Sequence, residues 1–267
     1  MKYMITGIVA IALCNILGAL LVKVTQKITK RDFSKRKRIC LGIVYILIIL
    51  ALAVAIYLGK YYHSQVDINT LENDEINITQ EDYGYFVDGP GTDKAMIFYP
   101  GAKVDEKAYA PLMARLAAGG LDCFLVQMPA HLAILDMDKA EDIMGKYSYD
   151  KWYLSGHSQG GAAAAIYAAE NPDNIDGLVL LAAYPTKDIS DDISLLSIYG
   201  DKDQVVQMES YSSNKVNWPE KSRELVIPGG NHAGYANYGK QAGDGDAQIS
   251  NDKQQEITAT AILNFMK

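Results

Sequence analysis

Cysteine and histidine are scarce, and their scarcity excludes several kinds of protein at once. The three cysteines among 267 residues cannot frame a small disulfide-stapled fold. Cys14 and Cys40 fall in apolar runs and Cys123 in a run that reads as a buried strand, so neither a disulfide pattern nor a metal-binding spacing is present. Internal repeats and low-complexity tracts are absent. Positive charge is also in short supply from residue 60 onward, with 16 Lys/Arg against 31 Asp/Glu, and so acidic a body does not suit nucleic acid as a partner.

Charge of either sign is missing altogether from two stretches, "YMITGIVAIALCNILGALLV" (3–22) and "ICLGIVYILIILALAVAIYL" (39–58). Each has the twenty or so residues a helix needs to cross about 30 Å of hydrocarbon. We read residues 1–59 as a membrane hairpin of two transmembrane helices. A cleaved signal peptide is the alternative for the first, but it lacks a short apolar core with a small-residue cleavage site, and a second span follows closely. The connection "KVTQKITKRDFSKRKR" (23–38) carries eight basic residues and one acid. That bias places it in the cytoplasm beside anionic headgroups and puts the C-terminal body on the extracytoplasmic side of a cell membrane. The inverted topology is the rival reading.

Residues 60–82 are polar and without period, which reads as a tether. From residue 83 onward short apolar runs alternate with helical patterns. Strands are expected at 94–99, 122–127, 152–156, 177–182, 195–200 and 224–228, and helices near 106–118, 133–146, 160–170, 205–214 and 252–266. Near-continuous apolar strands separated by helices indicate an α/β fold, a doubly wound and mostly parallel sheet covered on both faces.

Within that pattern "YLSGHSQGGAAAAIYAA" (153–169) sets one hydroxyl between glycines where a strand ends and a helix begins. In Gly156-His157-Ser158-Gln159-Gly160 the serine must take a strained conformation that projects its hydroxyl above the sheet. Glycine at 156 and 160 then lets helix and strand approach.

Here the chain resembles the α/β-hydrolase superfamily, and more closely a branch of compact bacterial members. The resemblance rests on "FYPGAKVDEKAYAPL" (98–112), "GHSQGG" (156–161), "YGDKDQVV" (199–206) and "GGNHAGYANYGKQAGDGDAQIS" (229–250), and it covers residues 83–267. It implies a catalytic triad in the order Ser, acid, His. Ser158, Asp203 and His232 fit, with Asp201 the rival acid in the same turn. Among the four histidines, His63 lies in the tether, His157 is held by the elbow, and His131 precedes the nucleophile.

An oxyanion hole needs two backbone N–H donors. Gln159, at the start of the helix, is one. Ala102 or Lys103, in the loop after the first long strand, is the other. Family members more often carry Gly-Gly at 101–102, so Ala102 fits only with a negative φ. Tyr99, His131, Tyr184 and Tyr235 are candidates for the pocket wall, as are Tyr109 and Tyr238.

Asp244 and Asp246 among glycines hint at calcium without a full ligand set, and neither metal nor cofactor is implied. About ten residues join the strands near 182 and 193, too few for a large lid. The implied activity is hydrolysis of small-molecule or lipid-like carboxylic esters through an acyl-serine intermediate. A thioesterase, peptidase or acyltransferase with the same triad, or a non-catalytic binding module, are the alternatives.

Overall fold

In the computed structural model residues 2–91 and 93–267 are described, residues 2–11 by their backbone alone. Residue 1 of the expected hairpin and residue 92 lie outside the described residues. The chain divides into two units, Met1–Lys60 and Tyr61–Lys267.

The first unit is a pair of helices, α1 (Lys2–Thr29) and α2 (Lys35–Gly59). At 1.5 Å per residue both are long enough to cross a bilayer, and both are apolar enough to do so. They are longer than the uncharged runs, because the basic segment continues the helices and leaves only residues 30–34 as the turn. Lys30 takes a positive φ there, and the Ser34 hydroxyl caps α2 by accepting from the Lys37 N–H. The helices meet closely: a Cβ on Gly18 would lie 2.9 Å from Ile46.

The second unit is built on eight strands among the described residues, in the order β1-β2-β4-β3-β5-β6-β7-β8. The strands are β1 (Asn77–Glu81), β2 (Gly84–Asp88), β3 (Lys94–Tyr99), β4 (Asp122–Val126), β5 (Lys151–His157), β6 (Gly177–Leu181), β7 (Ser194–Gly200) and β8 (Ser222–Ile227). From β4 to β8 all neighbours are parallel, whereas β1 and β2 form an antiparallel edge. The α/β class and the six apolar strands follow the hydrophobic pattern. β1 does not announce itself, because an edge strand as polar as "NITQE" has no apolar run to betray it, and the apolar part of β2, "YFV", is only three residues long.

Among the described residues five α-helices accompany the sheet: α3 (Ala110–Ala118), α4 (Lys139–Met144), α5 (Gln159–Glu170), α6 (Met208–Ser213) and α7 (Asn251–Phe265). Successive side chains of a strand face opposite ways. Accordingly Met96 and Phe98 enter one core with Leu112, Leu116 and Ile262, while Ala95, Ile97 and Tyr99 enter the other with Ile143, Ala164 and Ala168.

Three helices are shorter than their sequence patterns, α3 because Glu106–Tyr109 form a 3-10 turn ahead of it. At α4 the Tyr99 hydroxyl donates to the Met137 carbonyl and accepts from the Ala140 N–H, which starts the helix at Lys139. At α6 Gln207 is extended, with φ −80° and ψ 95°, so the helix starts only at Met208.

Residues 60–82 are not a free tether. Tyr62 bridges Val104, residues 68–71 form a short 3-10 turn, and β1 extends the sheet. Backbone pairing holds this polar segment, and that leaves no trace in hydrophobic periodicity. No helix separates β6 from β7, so the connection is as short as expected.

Phe124 on β4 is fully buried among Tyr83, Phe86, Tyr147 and Trp152. Phe124→Ala is therefore expected to cost about 3–5 kcal/mol. Calorimetry should show the midpoint of the second unit falling by roughly 10 °C.

Candidate active site

β5 ends at His157 and α5 begins at Gln159, so Ser158 alone makes the turn, with φ 54° and ψ −122°. A non-glycine residue held there stores on the order of 1–3 kcal/mol, and the surrounding backbone must enforce it. A Cβ on Gly156 would lie 2.4 Å from the Gly160 carbonyl carbon, and one on Gly160 would lie 2.2 Å from the Tyr99 oxygen. Gly161 faces Ala183 at 2.5 Å on the same reckoning. Side chains at these positions would push helix and strand apart, and the turn would relax. The Ser158 N–H donates to Leu181 O at 2.9 Å, which pins the turn to β6.

The acid loop after β7 and the loop after β8 meet beside this turn. His232 Nδ1 donates to Asp203 Oδ2 at 2.7 Å, and both side chains are almost entirely buried. Asp203 Oδ1 accepts from the N–H groups of Val205 and Val206 at 2.8 and 2.9 Å, so the carboxylate is held by three donors. Asp201 turns the other way, accepting from the Gly229 N–H at 2.7 Å and lying near Lys202. The geometry thus separates the two aspartates that the sequence left in competition.

His232 Nε2 has no partner among the described residues, and the Ser158 hydroxyl is not bonded to it in this conformation. Both residues line one cleft of about 240 Å³, together with Gln159, Ala162, Ala182, Ala183, Tyr184, Thr186, Val205, Val206 and Gln207. Apart from His232 that wall carries no ionisable side chain except the Tyr184 phenol. Catalytic contacts commonly tighten only when substrate arrives.

Opposite lies the loop after β3. Gly101 to Val104 form a turn closed by Val104 N–H to Gly101 O at 3.3 Å. The positive φ falls on Lys103, at 59°, and Ala102 is not among the positive-φ residues, which meets the condition its side chain imposes. The Lys103 N–H donates to His131 O at 2.7 Å and the Gly101 N–H to the Tyr109 hydroxyl at 3.1 Å. With both flanking amides committed, Ala102 is the loop's remaining candidate. Ala102 is outside the cleft wall itself.

Beneath the site is a buried polar chain. The Tyr109 hydroxyl accepts from Gly101 and therefore donates its own hydrogen to His157 Nδ1, at 2.7 Å. The His157 ring sits 4.5 Å from that of His232 and 5.3 Å from that of Tyr235. Burial, reinforced by the neighbouring His232, pushes the His157 pKa well below its ordinary 6.5, so this imidazole is neutral.

Of the candidate wall residues Tyr184 lines the cleft. Tyr99 is committed in the core at α4, and Tyr235 is fully buried with its hydroxyl donating to Ile198 O at 3.2 Å. His131 borders a different recess with Pro129, Ala130 and Lys139. Tyr109 and Tyr238 are buried as well.

Asp244 has a structural duty that its sequence setting hides. Its carboxylate accepts from the N–H groups of His232 and Ala233 at 3.2 and 2.9 Å, and from Gln204 at 3.4 Å, clamping the histidine loop to the acid loop. Asp246 pairs with Lys240 at the surface, and no metal-binding cluster exists among the described residues. Asp244 lies twelve residues from His232, and no local pattern signals the pairing.

A buried neutral His157 fixes the sign of a pH effect. Below pH 6.5 the unfolded chain binds a proton at this residue that the folded chain does not, so stability falls as pH falls. The contribution is about 1.4 kcal/mol per pH unit in that range. Urea titrations should show a shallower acid slope for His157→Asn, which keeps an acceptor near the Nδ1 position.

Comparisons with known proteins agree with this architecture. The sequence profile described as "Alpha/beta hydrolase family" matches residues 95–256. A search of curated proteins by sequence finds no match. Among solved structures, a predicted CIB-like hydrolase from Thermoplasma acidophilum superposes with a TM-score of 0.52 at 14% identity, covering 71% of this chain and 99% of that one. Est1E from Butyrivibrio proteoclasticus gives 0.52 at 16% identity, with 72% and 98% covered. At these identities the superpositions speak for the fold alone. A strand-turn-helix elbow on an eight-stranded sheet and a profile match over more than half of the length lead to one conclusion: the chain belongs to the alpha/beta hydrolase family.

Proposed function

We propose that the protein is a membrane-anchored serine hydrolase that cleaves carboxylic esters through an acyl-Ser158 intermediate. The observation that carries this reading is the buried Asp203–His232 pair, whose Nε2 lacks a partner and whose ring lines the same cleft as a serine held at φ 54°.

In this mechanism His232 Nε2 takes the proton of the Ser158 hydroxyl as Oγ attacks the ester carbonyl carbon. Asp203 orients the ring and stabilises the imidazolium that forms. The developing oxyanion is met by the Gln159 N–H, at the positive end of α5, and by the N–H of Ala102. Collapse expels the alcohol, which takes the proton from His232 and leaves the acyl group on Oγ. Water, deprotonated by the same imidazole, then attacks the acyl-enzyme and releases the acid.

The cleft favours one class of acyl group. Its wall includes alanines and valines and carries no Lys, Arg, Asp or Glu, which suits a short, uncharged chain. The two apolar helices support attachment to a membrane, and the basic connection between them supports an extracytoplasmic site for the enzyme.

A fluorophosphonate probe should label the wild-type chain and not Ser158→Ala. Ester hydrolysis should fall to background in Ser158→Ala, and by about 10³–10⁴ in kcat for Asp203→Asn. In a panel of esters, thioesters and amides of graded length, kcat/KM should be highest for short-chain esters. Ala162→Leu, at a partly exposed position on the cleft wall, should move the optimum to still shorter chains. Unlabelled wild-type protein, or labelling that persists in Ser158→Ala, would overturn the assignment. Protease treatment of intact cells should remove the second unit.

A further inference from the structure

The residues that follow α2 are bonded to the loop that carries Ala102. Tyr62 lies three residues beyond Gly59, the last residue of α2. Its N–H donates to Lys103 O at 2.7 Å, and its carbonyl accepts from the Asp105 N–H at 2.9 Å, a short parallel bridge to Val104. Ser64 N–H reaches the Asp105 carboxylate at 3.4 Å, and Gln65 N–H donates to Asn237 O at 2.8 Å. The Tyr61 ring stacks on His131 with centroids 3.9 Å apart, and the His131 carbonyl is the acceptor for the Lys103 N–H. The segment therefore grips the turn from both sides.

The turn needs this grip. Lys103, Ala130 and His131 all hold positive φ without being glycine, and the first faces the last across the Lys103 N–H to His131 O bond. Three strained residues in two adjoining loops persist only where the surroundings over-determine them. On the far side of Ala102 the Gly101 N–H is fixed by Tyr109. On the near side the restraints are the His131 carbonyl and Tyr62.

We propose that Tyr61 and Tyr62 are positioning residues for the oxyanion hole, setting the orientation of the Ala102 N–H through Lys103 and His131. The inference rests on the proposed function, because it assigns Ala102 the role of oxyanion donor. It makes the segment after the second apolar helix part of the enzyme's working geometry instead of a passive spacer. A donor displaced from the oxyanion lowers kcat and leaves substrate binding largely untouched, since the bond strengthens only in the transition state.

The test uses the full chain with a short-chain p-nitrophenyl ester. Tyr62→Pro removes the N–H donor to Lys103 and is expected to lower kcat by about tenfold or more, against a ceiling of about a thousandfold for a lost donor. KM should stay within about twofold, as transition-state-only contacts require. Tyr62→Phe keeps the backbone bridge and loses only the bond its hydroxyl accepts from the Ala242 N–H at 3.1 Å, so kcat should stay within about twofold of wild type. If Tyr62→Pro does not fold, Tyr61→Ala should lower kcat severalfold at unchanged KM, with Tyr61→Phe restoring it. Wild-type kcat in folded Tyr62→Pro, or in Tyr61→Ala, would overturn the inference, as would a loss confined to KM. Activity surviving in Ser158→Ala would instead overturn the reading of the site and leave these residues without a role in it.

Discussion

The approach of α5 to β5 is the constraint on which the site depends. Backbone atoms of Gly156 and Gly160 lie where any side chain would collide, and Tyr99 and Pro100 press on Gly160 from the neighbouring strand. That contact leaves Ser158 no relaxed alternative to φ 54°. The alanine run of α5 extends the same logic, because small side chains keep the helix close to the sheet along its length. Strain at one residue is thus maintained by close packing along α5.

Everything else at the carboxyl edge is loop, and loops need separate anchors. The histidine loop is held by Asp244 and by Gln254, whose side chain accepts from the Asn231 N–H at 3.0 Å and donates to its carbonyl at 2.8 Å. The acid loop is held by its own aspartate, which spends one oxygen on two backbone amides and the other on His232. A buried carboxylate such as Asp203 is costly unless it is paired, and its three donors, like those of the half-buried Asp244, stand in for a regular element. A network of this kind gives precision where a strand or helix cannot reach.

Placement of the second unit directly after an apolar helix gives the strap at Tyr61–Gln65 its interest. A polar stretch of this composition ordinarily reads as spacer. Here it contributes a backbone bridge and an aromatic stack to the folded unit, and the chain goes on to add the edge strand β1. The minimal connection between β6 and β7 supplies Ala182, Ala183, Tyr184 and Thr186 to the cleft wall and places no helix above it.

By itself the sequence determined the two apolar helices, the class of the fold, six of the eight strands and the residue types assembled around Ser158. These follow from hydrophobic periodicity and glycine placement, which act over a few residues and are written locally. Tertiary structure alone decided which aspartate meets His232, since Asp201 and Asp203 share one turn and differ only in the direction the folded loop gives them. It alone decided that Asp244 clamps two loops, that Tyr99 and Tyr235 belong to the core, and that residues 61–81 pair with the body. Each of these outcomes is a contact between groups distant in the chain, set by how the sheet brings its loops together, and no short window of residues contains it.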